Sequence, residues 1–142
     1  QFDTATEILG RLKTLANSVD KKVAVKFSNT LEIMNHSDTF EEEVMYLSGE
    51  ALHVITTTLA GVWREAVGDQ FPISFSAGVD ARNFADLVAL GFAPVTTCTD
   101  ILRPGGYGRL SKYLQNLETR MADDAAERSW WYPGHRRSGH GW

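Results

Sequence analysis

The sequence contains one cysteine, four prolines and no uninterrupted apolar run of the roughly 18 residues that a membrane-spanning helix needs. Cys98 alone cannot form an intramolecular disulfide, so a reducing compartment such as the cytoplasm is expected. No charged start followed by an apolar stretch resembles a signal peptide. The first residue is Gln1 and not Met, so we expect the chain to begin inside a longer reading frame.

An excess of positive charge is also missing. The 14 Lys and Arg residues are outnumbered by 18 Asp and Glu, which gives a formal net charge of −4. Because nucleic-acid-binding domains usually present a basic face, we expect no nucleic-acid partner. No spacing of cysteine and histidine is typical of zinc, and His36 and His53 fall in different predicted elements, so the sequence predicts no metal site.

The chain has 142 residues, of which 43% are hydrophobic and 23% charged, as in an ordinary globular domain. That length allows a substantial core. It does not allow a complete eight-fold β/α barrel, which takes about 250 residues.

Apolar residues at helical spacing alternate with short apolar runs typical of strands. The predicted order begins with a helix that starts at a Thr4-x-x-Glu7 capping box and reaches Ala16, followed by a strand at Val23–Phe27 and an aperiodic loop at Leu31–Gly49. A helix at Leu52–Ala66, ending near Gly68, and a strand at Pro72–Ala77 come next. The last elements are a short helix capped by Asp80 and stopped by Gly91, a strand at Ala93–Cys98 and a helix at Tyr107–Met121. This alternation predicts an α/β fold in which helices cover parallel strands.

In such sheets the functional residues follow the carboxyl ends of the strands. Ala77–Gly78 and Cys98–Thr99 are small pairs at two such ends, suited to exposing backbone N–H groups to a phosphate, although ordinary turn chemistry explains them equally well. The Asn29 amide suits a planar heterocycle or a loop cap. Lys26 either faces a ligand or lies at the sheet margin, and the second is slightly favoured.

Other reactive residues have simpler explanations. Cys98 is expected to be a small buried hydrophobe and not a nucleophile, and Glu41–Glu43 a solvated loop face. The tail from Glu127 to Trp142 holds three of the four tryptophans without any period. A disordered or non-native terminus is the favoured interpretation, with an aromatic partner surface or a metal site from His135 and His140 as alternatives.

Several short segments of the sequence resemble the flavin barrel of the dihydropyrimidine dehydrogenase and dihydroorotate dehydrogenase superfamily. They are Val25–Leu31, Met45–Gly49, Ile73–Asp80, Pro94–Asp100 and Pro104–Tyr107. The greatest similarity is to bacterial iron–sulfur flavoproteins described as selenate reductase subunits. The resemblance covers residues 2–121, and hence most of a domain that we place at residues 1–126.

The resemblance implies that the three strands are the sixth to eighth of a (β/α)8 barrel that binds FMN, so the chain is the carboxyl-terminal portion of that barrel. The residues that match cofactor-binding positions of the family are Asn29, Ser48, Gly49, Ala77, Gly78, Cys98 and Thr99. The family usually has glycine where this chain has Ala77, and the extra methyl group narrows the approach to a phosphate. Lys26 does not match the family's flavin-contacting lysine, which lies on an earlier strand.

The expected function is therefore that of a carboxyl-terminal segment of an FMN-dependent oxidoreductase, which supplies the phosphate loops but not a complete active site, and whose catalytic residues are unknown. Its expected partners are the remaining barrel and redox domains of the parent protein, with iron–sulfur clusters and NAD(P)H, and a small-molecule substrate. Two alternatives stay open: a non-redox barrel enzyme acting on a phosphorylated metabolite, and an inactive fragment that must dock on the missing strands.

Overall fold

The computed structural model describes residues 2–27, 30–36 and 41–131, with side chains described as far as residue 125. The elements along the chain are α1 (Phe2–Ser18), β1 (Val25–Lys26), β2 (Thr30–Met34), β3 (Val44–Ser48), α2 (Glu50–Val67), β4 (Ile73–Ser74), α3 (Phe84–Ala89) and α4 (Leu110–Trp131). Short 3-10 helical turns at Thr99–Leu102 and Gly106–Arg109 precede α4. Among the described residues, no helix is both long and apolar enough to cross a membrane.

The predicted parallel sheet is confirmed. β1 pairs with β4 in parallel, with Val25 opposite Ile73 and Lys26 opposite Ser74. The segment after α3 lies on the other side of β4 through a parallel bridge between Phe75 and Val95. The paired stretches are shorter than the apolar runs that predicted them, since a run stays apolar beyond the residues that hydrogen-bond to a neighbouring strand.

The prediction of an aperiodic loop at Leu31–Gly49 is wrong for both ends of the segment, which pair as the antiparallel strands β2 and β3. Thr30 lies opposite Ser48, and Met34 opposite Val44. Along β3, Met45 and Leu47 are half-buried while Val44 and Tyr46 are exposed, Tyr46 by 66%. Because the exposed positions are apolar too, the sequence lacks the alternation of polar and apolar residues that marks a half-buried strand. The Glu41–Glu43 run next to it is exposed, as expected.

Aromatic side chains fill the core between the sheet and α2. Trp63 of α2 is 3% exposed, and its ring centroid lies 5.6 Å from that of Phe2, 5.9 Å from Phe27 and 6.0 Å from Phe71. Ile73 on β4 and Phe75, the residue directly after β4, are each 1% exposed. This core fixes α2 against the sheet and thereby places the first residues of α2 at the strand ends.

The helices agree with the sequence prediction in position but not in every cap. α2 ends as predicted, at Gly68, whose φ of 62° suits glycine and whose N–H donates to the Arg64 carbonyl. α1 begins at Phe2, so Thr4 and Glu7 lie inside it and the predicted capping box is wrong. Asp80 is not the cap of α3 either, because that helix starts later, after Asn83. Asp80 instead accepts hydrogen bonds from Arg82 in the loop after β4.

α4 is longer than predicted and includes residues from the start of the tail. It runs from Leu110 to Trp131, past the boundary placed at residue 126. The expectation of no regular structure from Glu127 onward is therefore wrong for residues 127–131, whose composition carried no apolar period. His135 and His140 lie outside the described residues.

The outer face of α1 carries a row of exposed apolar side chains, which we name the α1 stripe: Ile8, Leu12 and Leu15, with exposed fractions of 49%, 44% and 64%. Successive members are four and three residues apart, so they share one side of the helix. No residue of α1 is fully buried. The helix therefore presents apolar surface both to the core described above and to the outside.

Candidate functional site

A cleft of about 350 Å³ lies where the chain leaves the parallel strands. Its walls are Thr30 and Ser48–Glu50 at the base of the hairpin and start of α2, residues 76–80 after β4, residues 96–100 after the third parallel segment, and Arg103. The volume is in the range of ordinary small-ligand sites. The position at the carboxyl ends of parallel strands is the one that the sequence predicted for a binding site.

The structure brings together predicted site residues from three separate places in the sequence. Six of the seven predicted cofactor-binding residues line the cleft: Ser48, Gly49, Ala77, Gly78, Cys98 and Thr99. The seventh, Asn29, lies outside the described residues. Lys26 is exposed and is not among the residues that line the cleft, as expected of a lysine at the sheet margin.

Gly78 permits a close backbone contact between the loop after β4 and the start of α2. Its φ is 62°, and a Cβ built on it would lie 2.7 Å from the Glu50 Cα and 2.9 Å from the Gly49 carbonyl oxygen. A side chain at this position is excluded by protein backbone, whether or not a ligand is bound. Glycine is therefore required at position 78 by the packing of the cleft walls against each other, before any ligand is considered.

Gly49 lies at the N-cap of α2, with a φ of 67° and no side chain to cap the helix. A Cβ at Gly49 would lie 3.7 Å from the Thr99 hydroxyl, so the loops after β3 and after the third parallel segment approach each other here. The amino end of an 18-residue helix thus opens on the cleft. Such an end carries partial positive charge and favours anions.

Ala77 adopts a backbone conformation that alanine rarely takes. Its φ is 110°, it is 7% exposed, and its carbonyl oxygen lies 2.9 Å from the Nδ1 atom of His53 on α2. The hydrogen bond and the burial hold the strained residue in place. The sequence suggested that the methyl group of Ala77 narrows the approach to a phosphate. The structure adds that the positive φ of Ala77 is itself energetically unfavourable.

Hydroxyl groups dominate the polar lining of the cleft. Thr30, Ser48, Ser76, Thr96, Thr97 and Thr99 all contribute. The Ser76 Oγ atom is buried and, within the described part of the chain, has no hydrogen-bond partner. Buried polar atoms are seldom left unpaired, and those that are invite explanation by a ligand or water. The lining therefore suits a ligand with many hydrogen-bonding oxygens.

Asp80 fixes the loop after β4 from within. It is 5% exposed, and its carboxylate accepts hydrogen bonds from the Arg82 backbone N–H at 2.8 Å and from the Arg82 guanidinium. Burial raises the pKa of Asp80, but the hydrogen bonds and charge of Arg82 outweigh it and leave that pKa below its usual value. Asn83 completes the turn by donating to the Gly78 carbonyl at 2.8 Å.

Asp100 joins the third strand-end loop to α4. The Arg109 Nη2 and Nε atoms donate to its two oxygens at 2.7 and 3.1 Å, and the Tyr113 hydroxyl donates at 2.8 Å. The hydrogen bonds from Arg109 hold the pKa of Asp100 below its ordinary value despite burial, while burial raises the pKa of Tyr113. The Tyr113 hydroxyl also lies 3.1 Å from the Thr97 hydroxyl and from the Val79 carbonyl.

Glu50 and Arg103, which both line the cleft, form an ion pair. The Arg103 Nη2 atom lies 3.1 Å from the Glu50 Oε1 atom, and the Arg82 Nη2 atom lies 3.3 Å from the same oxygen. About half of each of the Glu50 and Arg103 side chains is exposed. The sequence pointed to neither residue, because charged residues in loops are common and only the fold brings these two together.

Cys98 is exposed in the cleft, so the expectation of a buried cysteine is wrong. Because the third parallel segment pairs with β4 only around Val95, Cys98 already lies in the loop beyond it. Among the described residues, no group of three or more histidine, cysteine or carboxylate side chains is placed to hold a metal ion. His36 is exposed, whereas His53 bonds to the backbone of Ala77.

Parallel strands joined through helices, with a polar cleft at their carboxyl ends, are typical of domains of the β/α-barrel class. A family model described as "Oxidoreductase YgfK, N-terminal TIM-barrel domain" matches residues 1–130. The chain belongs to this family of TIM-barrel oxidoreductase domains. The description places the domain at the amino terminus of YgfK, so it does not support the expectation of a carboxyl-terminal segment of an oxidoreductase. A carboxyl-terminal position within the barrel itself stays a prediction.

Two curated relatives carry the description "Putative oxidoreductase YgfK", from Escherichia coli strain K12 and from Escherichia coli O157:H7. Each is 39% identical to this chain over 114 residues, which cover 80% of the chain and 11% of the relative. The chain thus spans about a tenth of the length of these relatives. No solved structure matches it at a significant level.

Proposed function

We propose that this domain binds the phosphate end of FMN in the cleft and is part of a flavin-dependent oxidoreductase. The observation that carries the proposal is the meeting of Ser48–Gly49, Ala77–Gly78 and Cys98–Thr99 around one cleft. These are the positions at which the sequence resembles the cofactor loops of FMN barrels. Membership in an oxidoreductase family favours redox chemistry over a non-redox barrel enzyme.

The residues present fit a phosphorylated, polyhydroxylated ligand. The amino end of α2 at Gly49 supplies a dipole suited to a phosphate, and the unpartnered Ser76 hydroxyl is available to one of its oxygens. Thr99 is exposed beside them. When bound, FMN would supply the electron-accepting ring, and the residues of this chain would hold and orient its phosphate and ribityl end.

We also propose that the chain works with further βα units and redox domains of a larger protein, with iron–sulfur clusters and NAD(P)H as electron carriers there. The α1 stripe supports this, because apolar helix faces of a barrel are normally covered by neighbouring helices. In this arrangement β1, β4 and the segment around Val95 are the sixth, seventh and eighth barrel strands. The substrate would be a small molecule bound against the flavin.

The test is whether the purified full-length protein carries flavin. We expect absorbance at the flavin bands and release of FMN, not riboflavin, on denaturation. Thr99→Asp adds a carboxylate at an exposed lining position and should abolish or strongly reduce the bound flavin, since it repels a phosphate. Gly10→Asp lies on α1, with open space around it, and should leave the flavin content unchanged. A full-length protein that never carries flavin contradicts the proposal.

A further inference from the structure

The charged groups around the cleft balance one another. Three carboxylates line it, those of Glu50, Asp80 and Asp100. Each is within ion-pair distance of at least one arginine, and the arginines involved are Arg82, Arg103 and Arg109. In this set of residues every positive charge is already engaged, so a ligand phosphate can gain an arginine only if an existing ion pair opens.

The three carboxylates differ in how firmly they are held. The Asp80 and Asp100 side chains are 8% and 3% exposed. Asp80 accepts hydrogen bonds from two guanidinium nitrogens of Arg82, and Asp100 accepts them from two of Arg109. The Glu50 side chain is 55% exposed and receives single contacts from Arg82 and Arg103. Exposed single contacts contribute little to stability, so the pair of Glu50 and Arg103 is the one that opens most easily.

Arg103 is the arginine that is free to change partner. Arg82 stays with Asp80 through its backbone N–H and its guanidinium, and Arg109 holds Asp100 with two hydrogen bonds. Arg103 itself lines the cleft, touches Glu50 at 3.1 Å, and is only 3.7 Å from the already satisfied Asp100. Its guanidinium can form the same charge-assisted hydrogen bonds with a phosphate as with a carboxylate.

We propose that Glu50 occupies the place of an anion toward Arg103, and that Arg103 exchanges Glu50 for the ligand's phosphate on binding. This inference rests on the proposed function and deepens it, because it makes Glu50 and Arg103 the residues that determine whether a phosphorylated ligand is preferred over its unphosphorylated form. Glu50 competes with the ligand, so the native protein binds phosphate more weakly than the arginine alone would allow.

The experiment compares FMN with riboflavin, which lacks the phosphate. Each is titrated into the full chain while the alkylation rate of Cys98, its single and exposed cysteine, reports occupancy of the cleft. Glu50→Gln should tighten FMN binding by about 3-fold, and Arg103→Gln should weaken it by about 10-fold, with riboflavin binding unchanged by both. Arg103→Lys should restore part of the loss. Matched exposed controls are Glu65→Gln on α2 and Arg11→Gln on α1.

The outcomes separate this inference from the proposed function. If FMN protects Cys98 but Glu50→Gln and Arg103→Gln leave the FMN-to-riboflavin affinity ratio unchanged, the exchange is wrong and the FMN site stands. If FMN fails to protect Cys98 in both the native chain and Glu50→Gln, the site in this chain and the exchange fall together. If Arg103→Gln weakens FMN and riboflavin equally, Arg103 has a structural role and the exchange is overturned.

Discussion

Gly78 lies against Glu50 so closely that a Cβ on Gly78 would sit 2.7 Å from the Glu50 Cα. The loop after β4 and the first turn of α2 are thus in direct backbone contact. This contact limits how closely the amino end of α2 can approach the loop after β4.

Gly78→Ala should therefore destabilise the domain by about 3 kcal/mol, since backbone must move to admit a methyl group at a positive φ. Urea unfolding followed by circular dichroism measures it. Gly61→Ala is the matched control: Gly61 lies within α2 with no atom near a built Cβ, so alanine should stabilise the helix by about 1 kcal/mol. Equal effects of the two substitutions would show that the close contact is absent.

Ala77→Gly should stabilise the domain modestly, by up to about 1 kcal/mol. Relief of the positive φ of 110° is worth about 1–3 kcal/mol, and the greater freedom of glycine in the unfolded chain offsets part of it. Thermal unfolding measures the difference. Ala89→Gly, in the last turn of α3, should be destabilising, because that residue is helical. Destabilisation by Ala77→Gly would mean that Ala77 is not strained.

Asp100 should make stability fall on acidification. Its pKa in the folded protein is lowered, chiefly by Arg109, so its contribution is full above the unfolded value of about 3.9 and is lost as pH falls through the folded pKa. Asp100→Asn should lower the free energy of unfolding by about 2 kcal/mol at pH 7. It should also make that free energy fall less steeply at acid pH, although Asp80, whose pKa is lowered too, keeps part of the pH dependence. Asp123→Asn, at an exposed position on α4, should change neither. If the free energy of unfolding of Asp100→Asn falls with acidification as steeply as that of the native chain, this account is wrong.

The α1 stripe should matter only when further barrel units are present. In this chain alone, Leu15→Ser should change the free energy of unfolding by less than about 0.5 kcal/mol, because Leu15 is 64% exposed. Leu9→Ser should cost about 2 kcal/mol, since Leu9 packs against the core. In the full-length protein Leu15→Ser should become clearly destabilising. If Leu15→Ser stays neutral there, the stripe is not covered by the barrel.

Much of the fold was predictable because its signals are local. The helical period of α2, its end at Gly68 and the parallel relation of the apolar strands follow from the spacing of side chains along the chain. The hairpin of β2 and β3 was missed because β3 has apolar residues at four consecutive positions, Val44–Leu47, so its alternation of exposed and half-buried side chains leaves no alternation of polar and apolar residues in the sequence. The extension of α4 past residue 126 was missed because nothing in its composition marks a period.

The sequence by itself determined where a ligand site should lie, since small residues such as Gly78 and Thr99 at the ends of apolar strands have a direct physical meaning. Only the tertiary structure decided how the site is charged and held. The partnership of Glu50 with Arg103 and that of Asp100 with Arg109 and Tyr113 depend on distances set by packing. Ion pairs between loops carry no period or spacing along the chain, so they become visible only when the core has placed α2, the strand ends and α4 side by side.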